Sequence, residues 1–494
     1  MNQYLLGIDV GTTGTKSILF SADGEIKGQS YRGYPTSHPQ VGYSEQDPTD
    51  WWNAICQTVR EVCADPQISR NVAGISLSTQ GGTMVCVDEN FVPLHPAIVW
   101  SDIRCDEEYQ QFLQEVSNPH MVYEKTGWKV GPGASCLHPR WFQNHKPEVL
   151  KKTRMYLSVP DYISYKMTGK PAIDLSNAGI NRFVNITKAE YDVELMDFGG
   201  MTAEQFPPII PSSTEIGHLT ETAAKELGLT IKTVLVSGAH DQYAVALGAG
   251  ACKAGDILIG SGTCWVITCI GDESDFASGL SQSVAAIPGK WGSLWSLSSG
   301  GVCLEWWRKY LTVNADGIMI PFDEINAEVA KRKAAEDGLF FFPFSGCSSL
   351  EKSFQKASFV GLDLSHDRFH MARAIMEGVA FQIVWMLEAF KVKPSQDGLK
   401  LAGGASKSEL WCQMVADIAN LPVRIPETAD LACVGAAIMA GVGSGVYNSC
   451  EEGYDRLAIP ERVIYPNPDS VSMYRILMQQ YQRHAKVLGE LYGL

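Results

Sequence analysis

Gly7-Ile8-Asp9-Val10-Gly11-Thr12-Thr13 closes a short apolar run that begins at Tyr4, and it recurs in outline as Leu258-Ile259-Gly260-Ser261-Gly262-Thr263-Cys264. In both places an apolar run enters a glycine-threonine turn and leaves as a second run, Ser17-Ile18-Leu19-Phe20 in the first case and Trp265-Val266-Ile267-Thr268 in the second. Strand, tight turn, strand is the pattern of a hairpin. Two such hairpins, roughly 250 residues apart, predict two related halves, each opening with a turn whose backbone N–H groups can face a common ligand. Glycine-threonine turns are common, so a chance pairing is the competing reading of the echo.

Outward from the first hairpin, Asp47-Pro48-Thr49-Asp50 supplies capping residues ahead of Trp51, Trp52, Ile55, Val59 and Val62, spaced at three or four as on one helix face. Strands are expected at Val72 to Leu77, Met84 to Val87 and Ala97 to Trp100, and a polar helix from about Asp106. The stretch 149–206 gives no clear pattern. Beyond it, Thr222 to Leu227 reads as helix and Val234-Leu235-Val236 as a buried strand. Gly238-Ala239-His240-Asp241 then turns into the small-residue run Ala244 to Ala251, which suits close helix packing. After the second hairpin, His366-Asp367 caps a long apolar-faced helix to Phe390. Leu399-Lys400-Leu401-Ala402 enters Gly403-Gly404-Ala405-Ser406 ahead of another helix, Cys433 to Ala440 is a second small-residue helix, and Met473 to Leu488 is amphipathic.

Length and composition agree with two sizeable domains. The chain has 494 residues, 45% hydrophobic and 19% charged, which is ordinary for a globular protein with ample core. A net charge of −15, with no long run of either sign, argues against a nucleic-acid partner. Thirteen cysteines without a C-x-x-C pair suggest neither a disulfide framework nor a zinc ribbon. No apolar run approaches the ~20 residues of a membrane span, and Asp9 interrupts the first apolar stretch before a signal-peptide core forms. A cytoplasmic protein without membrane partners is expected, and a homodimer is the assembly to test.

The polar residues at strand ends are the site candidates. Asp9 precedes Gly11-Thr12-Thr13-Gly14, with Lys16 just beyond. Glycines let backbone approach an anion, threonine hydroxyls and lysine contact phosphate oxygens, and a strand-end aspartate can hold Mg²⁺ through water. A plain turn with a local cap is the alternative, since the lysine does not open a helix as in a Walker A loop. Asp241, where a strand gives way to a helix, reads either as a helix cap or as an ionised carboxylate able to take a proton from a bound hydroxyl. Gly403-Gly404-Ala405-Ser406 is either a helix-starting turn or bare backbone admitting a base and ribose. Thr79-Gln80 and Trp100-Ser101-Asp102-Ile103-Arg104 place polar groups where a polyol site would need them.

Taken together these residues resemble the FGGY family of carbohydrate kinases along essentially the whole chain. One family signature is matched at Ala357-Ser358-Phe359-Val360-Gly361-Leu362, a seven-residue gap, His370-Met371 and Ala374-Ile375-Met376-Glu377. Asp9 to Thr13, Tyr43 to Pro48 with Trp51-Trp52, Gly238 to Gln242, Gly262-Thr263 and Gly403 to Ser406 are also similar to the family. The resemblance implies an α/β fold of two actin-like, ribonuclease-H-type domains with a cleft between them. These are drawn as 1–250 for sugar and phosphate and 251–494 for nucleotide. It implies that Asp241 is the catalytic base, and that Gly11, Thr12, Thr13, Lys16, Gly262 and Thr263 hold phosphates. Gly403, Gly404, Ala405 and Ser406 would receive adenosine, and Asp9 and Asp241 would face Mg²⁺. Thr79, Gln80, Trp100, Asp102, Arg104, Asp241 and Gln242 would line the sugar. ATP and Mg²⁺ are the implied cofactors, a small sugar or polyol is the implied substrate, and domain closure would keep water from the γ-phosphate.

The chain also departs from the family. Arg140 stands where the first signature has lysine, and Thr79-Gln80 stands where the xylulose-phosphorylating members, the nearest in look, usually have Met-His. The expected reaction is phosphorylation of a ketopentose such as D-xylulose. Ribulose, erythritol and glycerol are alternative acceptors, and a non-catalytic sensor or an actin-like ATPase are readings from other classes.

Overall fold

The computed structural model describes residues 3–313, 317–347, 352–353, 356–428 and 430–493. The chain divides into two compact units. Most of the chain up to Cys252 forms the first, joined by Asp272–Gly292 and Thr428–Ile459, while Lys253–Gly271, Ser293–Glu427 and the residues from Pro460 form the second. The units are therefore not the halves 1–250 and 251–494, because two later segments cluster with the first. One reason lies in a helix. Leu431–Gly443 is rich in small residues and lies so close to the first strand that a Cβ on Gly7 would sit 1.9 Å from the Cys433 carbonyl oxygen.

In the first unit the strands Tyr4–Val10 (β1), Gly14–Ser21 (β2), Ile26–Gly33 (β3), Val72–Thr79 (β4), Glu215–His218 (β5) and Val234–His240 (β6) form one sheet in the order β5-β6-β4-β1-β2-β3. β1 and β2 are an antiparallel hairpin, β4 runs parallel to β1, β6 parallel to β4, and β5 antiparallel at the edge. Helix α1, Pro48–Val62, starts as its sequence requires: Asp47 accepts a hydrogen bond from the Thr49 N–H and proline occupies the first turn. It buries Trp51, Trp52, Ile55, Val59 and Val62 in a core shared with Leu6, Ile8, Val10, Ile75 and Leu77. Such burial contributes roughly 1.5–3 kcal/mol per large side chain.

In the second unit Ile257–Ser261 (β7), Trp265–Gly271 (β8), Trp291–Leu297 (β9), Leu399–Gly403 (β10), Val423–Pro426 (β11) and Glu461–Ile464 (β12) neighbour one another in the order β9-β8-β7-β10-β11-β12. Again a hairpin, β7-β8, is followed by two parallel strands, β10 and β11, and an antiparallel edge, β12. The two sheets share one strand order around their hairpins, although the antiparallel edge strand precedes its neighbour in the chain in the first and follows it in the second. Gln80 N–H donates to Val10 as Gly404 N–H does to Ser261, while the turn itself is one residue tighter in the second copy: Gly11 N–H donates to the Gly14 carbonyl, Gly262 N–H to that of Cys264. The echoed hairpins thus open the two sheets of a duplicated α/β fold.

Other sequence expectations need adjustment. The strand expected at Ala97 to Trp100 ends at Ile98, and Trp100 lies half-exposed beyond it. Gly403-Gly404-Ala405-Ser406 does not start a helix. Gly403 ends β10, a single turn follows, and the helix Glu409–Ala419 begins after its cap, Ser408. The unassigned stretch 149–206 holds short pieces, among them Met155–Ser158, Val159–Thr168, Leu175–Ile180 and Val193–Asp197, too brief for a periodicity to show.

Candidate active site

The first hairpin turn is anchored through its carbonyls. Tyr34 Oη donates to the Gly11 oxygen at 2.6 Å, Gln46 Nε2 to Thr12 at 2.6 Å and Tyr31 Oη to Thr13 at 3.1 Å. With the carbonyls tied down, the N–H groups of Thr12 and Thr13 are left without partners among the described residues. That is the arrangement an anion requires. Lys16, opposite Asp9 in the ladder, sends its ammonium to Asp430 Oδ2 at 3.2 Å. Asp430 caps Leu431–Gly443 through the Ala432 and Cys433 N–H groups.

Asp9 ends its visible chemistry on one neighbour, the Ser78 hydroxyl, which donates to Oδ1 at 2.7 Å. Burial pushes this carboxyl up to about 7; the Ser78 bond opposes the shift, Asp430 and Asp241 add to it, and Lys16 counters it. The three carboxylates thus share one region of the first unit with a single nearby cation. No group of three His, Cys, Asp or Glu among the described residues is arranged to hold an ion alone. The excess negative charge at Asp9 fits a cation that arrives with part of its own ligand shell.

Asp241 opens helix α2, Asp241–Gly248, directly after β6. Its Oδ1 is buried with no hydrogen bond, and the nearest charged group is His240 Nε2 at 3.1 Å. Gln242 follows it in the first turn, partly buried. Thr79 and Gln80, expected to face the sugar, are fully buried at the end of β4. Gln80 Nε2 donates to Gln46 Oε1 at 2.9 Å, which also takes the Trp51 indole N–H, so this glutamine is wired to the phosphate-type turn through Gln46. The next two positions are Gly81 and Gly82, bare backbone beside His240 and Trp100 respectively. Trp100 reaches the same turn, donating from Nε1 to Thr12 Oγ1 at 3.0 Å.

Asp102 and Arg104 form an internal bracket. Arg104 donates from Nε and Nη2 to Asp102 and from Nη2 to Glu45, while the Ser44 N–H fills Asp102 Oδ2. The guanidinium lies 4.0 Å from the Tyr43 ring centre and 4.8 Å from that of Trp141. Both Asp102 oxygens are committed, and the pair ties the loop after Trp100 to Ser44 and Glu45 rather than presenting a free carboxylate. Arg140 is likewise structural, bonded to the Phe198 carbonyl and Glu115.

The second unit carries a cavity of about 490 Å³. Gly262 and Thr263 of the second hairpin, Gly404 and Ala405 of the glycine turn, Phe322, Asn326 and Trp411 are among its walls. Gly403 and Ser406 lie beside it but not in its lining; Gly403 holds a φ of 102° that favours glycine. The carbonyls of Gly262 and Thr263 accept from the N–H groups of Gly301 and Val302, so this turn too is tied down from behind, here by the start of the helix Gly301–Leu311.

Sequence reasoning missed Asp430, Ser78, Gln46, His240 and the Gly301 and Asn326 walls. Ser299-Gly300-Gly301 before an apolar run was a legible helix-start signal. The pairing of Lys16 with Asp430 has none, because it joins residues at opposite ends of the chain.

Two hairpin-led sheets of one strand order, with an unpaired carboxylate on the first and a glycine-walled cavity on the second, define a two-domain sugar kinase fold of the actin-like class. Family models confirm it: the N-terminal domain of the FGGY family of carbohydrate kinases matches residues 4–248 and the C-terminal domain matches 256–444. The chain belongs to the FGGY family, whose members are ATP-dependent carbohydrate kinases. It is similar to the gluconokinase of Bacillus subtilis, 29% identical over 100% of this chain and 97% of that one. It is as similar to the xylulose kinase of the same organism, 29% identical over 99% and 98%. The crystal structure of xylulose kinase from Rhodospirillum rubrum superposes with a TM-score of 0.90 at 25% identity, covering 100% of both chains. No helix among the described residues is long and apolar enough to cross a membrane.

Proposed function

We propose that this kinase transfers the γ-phosphoryl group of ATP to a hydroxyl of a small ketose, with a ketopentose such as D-xylulose, giving xylulose 5-phosphate, as the leading acceptor. The observation that carries the reading is Asp241: a carboxylate oxygen buried without a hydrogen bond, at the end of a strand and facing no counter-ion but His240. It accepts the acceptor's hydroxyl proton as that oxygen bonds to phosphorus. The bond from phosphorus to the bridging oxygen breaks, and its electron pair leaves with ADP. The free N–H groups of Thr12 and Thr13 hold phosphate oxygens, and Lys16 joins them by exchanging Asp430 for phosphate. Adenosine occupies the cavity at Gly404 and Ala405, with the second hairpin at its phosphate end. Asp9, through water, and Asp241 would hold Mg²⁺, which would supply charge to neutralise the phosphates. The functional division of the chain follows: sugar and phosphate on the first unit, nucleotide on the second.

Relatives named for xylulose and for gluconate stand at equal identity, so gluconate belongs beside the pentuloses among the acceptors to compare. ADP release with MgATP, measured across D- and L-xylulose, D- and L-ribulose, erythritol, xylitol, glycerol and gluconate, tests the assignment. One ketopentose should exceed the rest by about tenfold or more in kcat/KM. Preference for a polyol or for gluconate would replace the acceptor and leave the kinase reading intact.

A further inference from the structure

His240 is an anomaly. Its side chain is 8% exposed, and among the described residues Nδ1 is buried with no partner and the only charged neighbour of Nε2 is Asp241 Oδ1, at 3.1 Å but out of line for a hydrogen bond. A buried polar atom left unpaired is unfavourable. The fold nevertheless holds this ring firmly. Its backbone N–H donates to Ser176 Oγ at 2.9 Å, its ring packs edge-on against Trp128 and Tyr243, and position 81 is glycine because a Cβ there would lie 2.4 Å from His240 Cδ2. Trp128, on the same aromatic contact, also has a buried Nε1–H without a partner.

We propose that His240 is a specificity and positioning residue: Nε2 steadies the Asp241 carboxylate, and Nδ1 accepts a hydrogen bond from a second hydroxyl of the acceptor. The inference rests on the kinase reading above and names the chemistry that its site selects. Nε2, 3.1 Å from the Asp241 carboxylate oxygen, is the ring nitrogen placed to carry the proton, which leaves Nδ1 as a lone-pair acceptor. Contacts of this kind in a site without substrate often lie out of line and tighten on binding. A neutral hydroxyl can donate to Nδ1, whereas a carboxylate has no proton to donate and can only accept. The site therefore takes a vicinal diol or hydroxyketone and disfavours a carboxylate at that position.

Three variants separate the two roles. His240→Ala should raise KM for the acceptor and lower kcat, each by about tenfold, with KM for ATP within about twofold of wild type. His240→Gln places an amide near Nε2 and should keep kcat within about threefold while losing acceptor affinity; His240→Asn places it near Nδ1 and should do the reverse. A deoxy acceptor lacking the neighbouring hydroxyl should cost wild type about tenfold in kcat/KM and cost His240→Ala almost nothing, a coupling that a purely structural role would not produce. Equal losses of the deoxy acceptor in wild type and variant, or wild-type kinetics in all three variants, would overturn the inference while leaving the kinase reading standing. A wild-type chain silent on every acceptor would overturn both.

Discussion

The proposed reaction turns on one residue of the first unit, Asp241. Changing it to asparagine removes the proton acceptor while keeping size and helix start, so kcat should fall by about 10³-fold or more with nucleotide affinity within about twofold. Steady-state kinetics with a fluorescent ADP analogue for binding would check this. Asp9 makes a prediction of a different sort. Burial pushes its carboxyl up to about 7 from the ordinary 3.8, so the folded state binds more protons than the unfolded one between those values. Stability from this group is then present at acid pH and is lost as pH rises through about 7. Asp9→Asn, which cannot ionise, should melt several degrees above wild type at pH 8, and the gap should narrow towards pH 5. A gap independent of pH would mean that Asp9 is not held against its charge. The role of Asp241 as a site residue was legible only through the family resemblance, since its local pattern equally describes a cap. The enclosure of Asp102 by Arg104 and Ser44 was not legible at all, because three of its four hydrogen bonds look like an ordinary polar loop in sequence.

At the scale of elements, glycine contacts set the packing. The helices Asp241–Gly248 and Leu431–Gly443 approach so closely that a Cβ on Gly435 would lie 2.0 Å from the Ala244 carbonyl oxygen, and one on Gly248 would lie 1.9 Å from that of Leu431. Gly435→Ala should therefore cost about 2–4 kcal/mol, seen as a lower denaturation midpoint with unchanged slope, although alanine has the better helix propensity. Gly404 is the opposite case: a Cβ there meets only Ser261 O, at 3.4 Å, on the wall of the 490 Å³ cavity. Gly404→Leu should fold, and should raise KM for ATP by about tenfold while acceptor KM stays level. The strands and long helices were readable from alternation and capping: Asp47, Asp367 and Ser408 each accept hydrogen bonds from a helix's first N–H groups. The elements of 149–206 were not, since they are two to ten residues long and are held by partners distant in sequence.

For the whole molecule, the repeated strand order is the widest statement that the sequence supported. It began as seven residues echoed once, and the shared strand order, with Gln80 bonding Val10 as Gly404 bonds Ser261, turns that echo into a structural correspondence. The two copies have diverged in use. The first turn is followed by a buried amide network and carboxylates, the second by bare backbone and a cavity. A nucleotide bound to only one copy should raise the melting temperature by several degrees at about 100 times its Kd, and Gly404→Leu should abolish that shift at the same concentration while Asp241→Asn retains it. What sequence left open was how the segment after Thr428 contributes: Leu431–Gly443 belongs with the first unit although it lies in the second half of the chain. The central claim, phosphoryl transfer to a sugar hydroxyl through Asp241, is tested most directly by ³¹P NMR of wild type and Asp241→Asn with MgATP and the preferred acceptor. The account predicts a new phosphomonoester growing in step with ADP in wild type and absent in the variant. ADP and inorganic phosphate without a phosphomonoester, or the same phosphomonoester formed at an undiminished rate by Asp241→Asn, would contradict it.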